Sequence, residues 1–590
     1  MKLRVGIAVV IAFGCKAKSE DAGEPVRQAP LPSSPEPADA GTHSGAHPDY
    51  PTPVAAGTDK IFSTEDPDRG PTAPLDFKMP PAGQLTWTEH EHCVDDITTV
   101  RCSPAVDKPQ GMWTWRVGRK GKTLVVAQEL HGGQLGDTKV YVTKPNGTPD
   151  QQVIFDDHRR VKSARLFTGD GRYSRRNRDG SNGLDGCGYM GYSLDDRDRV
   201  IELRCLQWLG EPMRDTSGVA VTRFALDDDG FVLAEHRFGI AGTPIAGTDG
   251  VTRYVYELDD VGRRLVALHH DADGGPVADD SGCFGTRFER DERGVVIRRV
   301  CMGADGKPAR SVSNIAVTAY KHDRYGCRLE TRHFDPDGAP AIDHAKSHGT
   351  NDERNRFCEL TSRTCVGSDG VAIACGPGLA AKIEYKLDVH GNALIERNFD
   401  ADGEPTTEGS WGAYEVRNKW DDRGNAIRIA CFAAGGRPQK CSITDFHAKE
   451  STYDEAGREV SEIYFDARGE RTTNIGITMR RFQYDNYDHT FEARNYDEDG
   501  ALVDALGFAV RRDLYDDAHR LFGVLLFDSN NRPAAYTGCF GGTTCPETES
   551  WHAVRVRRRS DGTVASNQFF DANGQLLETF DCTRVMCFDD

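Results

Sequence analysis

Two turn signals, always 12 residues apart, recur through this chain from about residue 190 to 577. The first reads x-Asp-x-x-Gly, as in Leu226-Asp227-Asp228-Asp229-Gly230; the second reads Asp-x-Asp/Asn-Gly, often with x-Pro after it, as in Asp335-Pro336-Asp337-Gly338-Ala339-Pro340. Gly230, Gly262, Gly294 and Gly326 carry the first signal at steps of 32, and Gly242, Gly274, Gly306, Gly338 and Gly370 carry the second. Where the letters drift the offset persists, as at Asp198 with Gly210, Cys358 with Gly370 and His519 with Asn531, so that 191–577 holds twelve units with an insertion of about 11 residues between Asn531 and Gly562. A fixed period of this kind decides architecture ahead of any local propensity.

Asp at the first position and Gly at the fourth fit a type I turn whose Asp side chain caps the bend and whose Gly takes positive φ at the closing bulge. Between turns lie strand-like alternations; Thr252-Arg253-Tyr254-Val255-Tyr256-Glu257-Leu258 puts Tyr254, Tyr256 and Leu258 on one face. Each unit therefore reads as a hairpin with a longer return connection. A lone hairpin cannot bury its apolar face, so the units must stack. The expected fold is all-β: antiparallel hairpin repeats of about 32 residues in an elongated β-solenoid or a spiralling sheet. Residues 81–190 are less regular, with Trp87, Trp113 and Trp115, strand-like runs at 124–126 and 140–142 and a hairpin signal at Asn146-Gly147, and read as an irregular β capping region.

Tyr453-Asp454-Glu455-Ala456-Gly457-Arg458 resembles the YD repeat of RHS proteins, with echoes at Tyr484-Asp485 and Tyr515-Asp516. The resemblance covers about two-thirds of the chain. It implies a cocoon-like strand spiral and, as a function, an RHS-like shell or carrier without its toxin domain. The unit here is longer than the usual YD repeat, and the family's DPxGL-type core is missing. MORN-like hairpin repeats, which act as scaffolds, are a second resemblance.

Residues 1–15 have the build of a secretory signal: Lys2 and Arg4, then an apolar run from Val5 to Phe13 too short to span a bilayer. Ala12-Phe13-Gly14-Cys15 resembles a bacterial lipobox, which implies lipidation at Cys15 and, with Lys16 after it, the outer membrane of a Gram-negative cell envelope. Residues 16–80 are rich in Pro, Ala, Ser and acids and read as a disordered tether. Sixteen cysteines remain after Cys15, an even number that suits an oxidising compartment. Cys187 with Cys205, Cys283 with Cys301, Cys365 with Cys375 and Cys431 with Cys441 straddle turns. Cys93 with Cys102, Cys539 with Cys545 and Cys582 with Cys587 are close pairs, and Cys327 with Cys358 would join adjacent stacked units. The last of the close pairs lies in a C-terminal tail, 578–590. Zinc is the rival reading, but no C-x-x-C pair occurs.

Net charge is 73 − 92 = −19, which repels nucleic acid and anionic lipid, so membrane contact is expected through the lipid anchor only. The acidic turns Asp271-Ala272-Asp273-Gly274, Asp335-Pro336-Asp337-Gly338 and Asp400-Ala401-Asp402-Gly403 resemble the start of a calcium loop, with Asp271, Asp273, Asp335, Asp337, Asp400 and Asp402 as weak ligands; turn chemistry explains the same letters. His90 and His92 beside Glu89, Glu91 and Cys93 look ligand-like, with a surface strand as the plainer account. No G-x-S-x-G, Walker loop, Rossmann glycine pattern or HExxH occurs, so no catalytic residue is assigned and no cofactor is expected. The function these features suggest is an envelope-anchored scaffold that binds protein or polysaccharide. Tyr254, Tyr256, Trp411 and Trp420 would stack on sugars if exposed, and pack the sheet if not. An RHS-like shell or a carbohydrate-active hydrolase or lyase are the alternatives.

Overall fold

The computed structural model describes residues 85–581, apart from 96–99, 132–133, 144–148, 156–160, 169, 178–183, 185, 208–209, 345, 442–445, 455–456, 486–489, 516–520, 537–549 and 559–563. The signal and tether segments, Cys15 and the Asn146-Gly147 signal lie outside the described residues. Among the described residues the protein is all-β, with a single 3-10 turn at Ala505–Gly507. One sheet contains 33 strands; Cys93–Asp95 and Val100–Cys102 form a separate two-stranded ribbon.

From Trp113–Lys120 onward each strand pairs antiparallel with the next in sequence. Within a unit, Arg253–Leu258 pairs with Arg264–His270 through Tyr254↔His269; between units, Arg264–His270 pairs with Gly285–Arg290 through Ala267↔Thr286. The ladder crosses residue 190 unbroken, through Tyr173↔Met190, so the irregular N-terminal region continues the same sheet.

The first turn closes as its letters dictate. Asp259 Oδ1 accepts the N–H of Val261 at 3.1 Å and of Arg263 at 2.8 Å, and Gly262 sits at φ 87°. A one-residue register shift between Glu257 and Leu258 supplies the bulge. After the second turn the chain touches its own strand through one bridge, as in His270↔Pro276. Proline is tolerated there because the donor is the following residue, Val277 N–H to His269 O at 3.1 Å.

The return then holds a third turn, which the repeat reading treated as plain connection. Asp279 Oδ1 accepts from the N–H and Oγ–H of Ser281 and the N–H of Cys283, with Gly282 at φ 80°. This turn folds the return over one buried position of the sheet, two residues ahead of the second-turn Asp. In several units the residue there is tied to the return: Arg237 donates to Val251 O at 3.1 Å, His269 Nδ1 lies 2.8 Å from Cys283 O, and Asn398 donates to Ala413 O at 3.0 Å. In two units a cysteine at that position makes the tie covalent, Cys365 to Cys375 and Cys431 to Cys441.

Neighbouring units are stitched through their first turns. Arg458 pairs with Asp454 of its own turn at 2.7 Å and donates to Asp485 O of the next at 3.1 Å. Tyr453 reaches the other way and donates to Ala426 O at 3.1 Å; Tyr484 does the same to Glu459 O at 2.7 Å. The Tyr and Arg of the YD-like motif are thus the backward and forward links of one ladder.

Six of the eight expected cysteine pairs are disulfides here: Cys93–Cys102, Cys187–Cys205, Cys283–Cys301, Cys327–Cys358, Cys365–Cys375 and Cys431–Cys441. The other two expected pairs, Cys539 with Cys545 and Cys582 with Cys587, lie outside the described residues. Cys205 and Cys301 are not directly opposite their partners; Met190 and Thr286 occupy those register positions, and Cys187 and Cys283 reach in from just before the strand. Towards the C-terminal end Trp551, Phe569, Val524 and Leu526 are fully buried in one apolar cluster.

Candidate functional site

None of the four aromatics that could have served as sugar platforms is exposed. Tyr254 and Tyr256 stack with ring centroids 6.2 Å apart, and their hydroxyls donate to Asp249 at 2.5 Å and Glu235 at 2.8 Å. Arg237 and Arg264 cover the two rings at 4.9 and 3.8 Å. Burial, together with these carboxylates, pushes both phenols well above their ordinary range. Trp420 Nε1 donates to Ala393 O at 2.9 Å, and Trp411 packs on the cluster around Val416 and Ile477. All four therefore hold the sheet together.

The acidic turns engage their own backbones. Asp271 Oδ1 accepts from the N–H of Asp273 at 3.0 Å and Gly275 at 2.8 Å, and Asp400 Oδ1 from Asp402 at 3.0 Å and Glu404 at 2.9 Å. Asp335 pairs with Arg310 at 2.8 Å, and Asp337 accepts from the N–H of Ala339 at 3.1 Å. Among the described residues no three His, Cys, Asp or Glu side chains lie close enough to hold a metal ion.

His90 and His92 do not converge. His90 Nδ1 lies 2.7 Å from Ser103 O and Nε2 2.9 Å from Thr88 Oγ1. His92 instead stacks on Phe231 at 6.1 Å, far along the chain, and burial plus Arg263 lowers its pKa to about 4. It belongs to a strap that the sequence did not disclose. Arg101 donates to Gly230 O, Met112 N–H donates to Arg293 O at 2.9 Å, and a Cβ on Gly326 would meet Met112 Cγ at 2.6 Å. The described part of 92–113 thus lies across the first turns of successive units, which rolls the start of the sheet against the repeats. No local signal marks this, because each contact joins residues more than a hundred positions apart.

An open groove of about 640 Å³ lies between the strands Glu415–Trp420, Ala426–Phe432 and Ala448–Tyr453. Lys419, Arg423 and Arg428 line it together with Asp421, Glu450 and Asp454, and Arg428 pairs with Glu450. Among the described residues, burial raises two carboxyls elsewhere, Glu396 and Asp513, the latter against the pull of Arg511. They sit on strands well separated along the ladder, Ala393–Phe399 and Val510–Tyr515.

Fold and surface together define an all-β hairpin-repeat protein with its units cross-linked in series. No known family matches the sequence, and no curated protein does. Among solved structures the chain is similar to a TcdB2–TccC3 complex, at 14% identity over 80% of this chain and 26% of that one, with a TM-score of 0.32. It is similar to a Photorhabdus luminescens Tc holotoxin pore at 13% identity over 80% and 24%, TM-score 0.31. A porin-like protein from Bacteroides uniformis shows 9% identity over 43% and 92%, TM-score 0.13. The chain spans about a quarter of the length of the toxin chains it matches. With TM-scores this low, the likeness transfers no activity, partner or assembly to this chain.

Proposed function

We propose that this protein is a disulfide-reinforced scaffold, lipid-anchored through Cys15 at the cell envelope, which presents its repeat surface to an envelope or extracellular protein or polysaccharide. The observation that supports it is the serial stitching of units, by Tyr453 backward and Arg458 forward, which spreads load along a long ladder and not around one cleft. The test is photo-crosslinking on intact cells with a tag near residue 40, followed by protein and glycan mass spectrometry. One abundant partner, lost when repeat units are deleted, supports the scaffold; nothing above background overturns it.

A shell that encloses cargo is a second reading, favoured by the strap at 92–113, whose contacts with Phe231, Arg293 and Gly326 roll the sheet. Cargo that co-purifies with the wild type and is released on deletion of 92–113 distinguishes it from an open surface.

A further inference from the structure

The face of the sheet that carries Tyr256 and His269 changes character over three successive units. At its first-turn end, register positions that hold Leu226, Leu258 and Leu387 elsewhere hold Arg290, His322 and Arg354 here. The position opposite, Val232, Val296 and Leu360 in some units and Arg264 in another, holds Arg328, which pairs in register with His322. Further along, Arg299 and Arg363 stand where Ala267 and Ile429 stand in other units. In a chain of net charge −19 this is a local reversal of sign.

Two of these cations converge on one acid, and a third, Arg328, lies beside them with its carbonyl held by Arg354. Asp352 accepts from Arg354 at 2.7 Å and from Arg363 at 2.8 Å, and its side chain is 1% exposed. Arg354 is fully committed: Nε donates to Arg328 O, one terminal nitrogen to Cys358 O and the other to Asp352. Arg363 uses Nε and one terminal nitrogen on Asp352. Arg328 lies over Tyr320 at 5.7 Å, forms no ion pair among the described residues, and buries its Nε without a hydrogen-bond partner. Burial lowers its pKa, and repulsion from Arg354 and Arg363 adds to this against the pull of Asp352. Three guanidiniums against one carboxylate leave two positive charges in a half-buried site, where uncompensated charge is costly.

We propose that Arg328 and Arg363, with Arg354 supplying charge and Asp352 holding the fork in place, bind a dianionic phosphoryl group, either free phosphate or a phosphate monoester. A dianion matches the charge excess; a carboxylate would leave one cation unbalanced. Arginine's planar donors suit phosphate oxygens, and the free donors here are those of Arg328 and the remaining terminal nitrogen of Arg363. Tyr320 beneath Arg328 fixes the plane from which those donors project. The site goes beyond the scaffold reading and does not depend on it.

The test is calorimetric titration of the purified full chain with inorganic phosphate and, separately, with glycerol phosphate. Binding of both points to a soluble oxyanion; binding of the ester alone points to a phosphorylated partner or glycan. In either case Arg328→Gln lowers affinity tenfold or more. Arg298→Gln, on the opposite face and paired with Glu289, leaves it unchanged. Arg328→Gln removes an unpaired cation, so its unfolding midpoint stays at or above that of the wild type. The proposal is overturned if neither ligand binds, or if Arg328→Gln binds as tightly as the wild type.

Discussion

Cys327 is bonded to Cys358 across the boundary between two units, and Cys358 occupies a left-handed φ of 62° at the place where Gly230, Gly262, Gly294 and Gly326 stand in other units. In several units the residue after the first-turn position reaches onto the next unit's turn glycine: Phe231 onto Gly262, Arg263 onto Gly294, Glu359 onto Gly391. The disulfide replaces that stacking contact by a covalent one, and the glycine has given way to the cysteine that makes it. A cross-link over a 31-residue separation stabilises by about 3–4 kcal/mol in the chain-entropy view. The left-handed backbone at a non-glycine residue costs about 1–2 kcal/mol. The net gain explains why the weakest-looking turn in the sequence is a strong joint.

Two double variants separate these terms. Cys327→Ser with Cys358→Ser loses the cross-link and keeps the strain; Cys327→Ser with Cys358→Gly loses the cross-link and relieves it. The second is expected to be more stable by about 1 kcal/mol, and both to lie below the wild type. Thermal unfolding midpoints of the three proteins decide it. Equal midpoints for the two variants would show that the turn bears no strain.

The forward link of the ladder gives a second expectation. Arg458 holds Asp454 and the carbonyl of Asp485 at once, with both charged side chains about one-fifth exposed. Arg458→Ala should cost about 1–2 kcal/mol. Arg458→Lys should recover less than half of that, because an ammonium lacks the planar fork that serves two turns. Denaturant midpoints read the difference, and full rescue by lysine would reduce the link to simple charge attraction.

The period, the hairpins and six cysteine pairs were legible because each is written in letters at fixed spacing. The third turn was not, since its clear form, Asp279-Asp280-Ser281-Gly282, drifts to Ser311-Val312-Ser313-Asn314 and then to Asp343-His344-Ala345-Lys346. Missing it hid the buried position beneath the return, filled by Arg237, His269, Cys365 or Asn398 without a shared letter. The strap at 92–113 was invisible for a different reason: it is a tertiary contact between non-repeating chain and repeating turns. The arginine cluster around Asp352 could have been found by aligning the units column by column, where Arg363 falls on a position held elsewhere by Ala267, Ile429, Glu235 and Glu396, and Arg328 on one held by Val232, Val296, Leu360 and Arg264.

The strap also sets a pH dependence. His92 faces Arg263 and Arg290 with Asp259 and Glu129 opposing them, and its ring lies on Phe231. Burial first, then Arg263, lowers its pKa from 6.5 to about 4, so it is neutral in the fold. A histidine with a depressed folded pKa contributes stability that is present above its unfolded value. That contribution is lost as pH falls from about 6.5 towards 4, because the unfolded chain takes up the proton first. After screening, the loss should be on the order of 1–2 kcal/mol. Unfolding midpoints between pH 7 and 4 should show a slope that His92→Phe, which keeps the stack, removes.

Lys346 adopts a left-handed φ of 64° in a third turn, where Gly218, Gly250 and Gly282 stand in other units, and Ile475 adopts 48° in another third turn, one residue before Gly476, which holds that place in its own unit. A β-branched residue is the least suited to that conformation, since its Cβ substituents crowd the backbone. Ile475 is also half exposed, so little packing offsets the strain. Ile475→Gly should therefore stabilise the protein by about 0.5–1 kcal/mol in spite of the added unfolded-state freedom, and Lys346→Gly by no more than that. A raised unfolding midpoint for Ile475→Gly means that the isoleucine stands there at a cost to folding. A lowered midpoint means that its side chain packs in a way its exposure hides, and the third turn then depends on contact more than on backbone conformation.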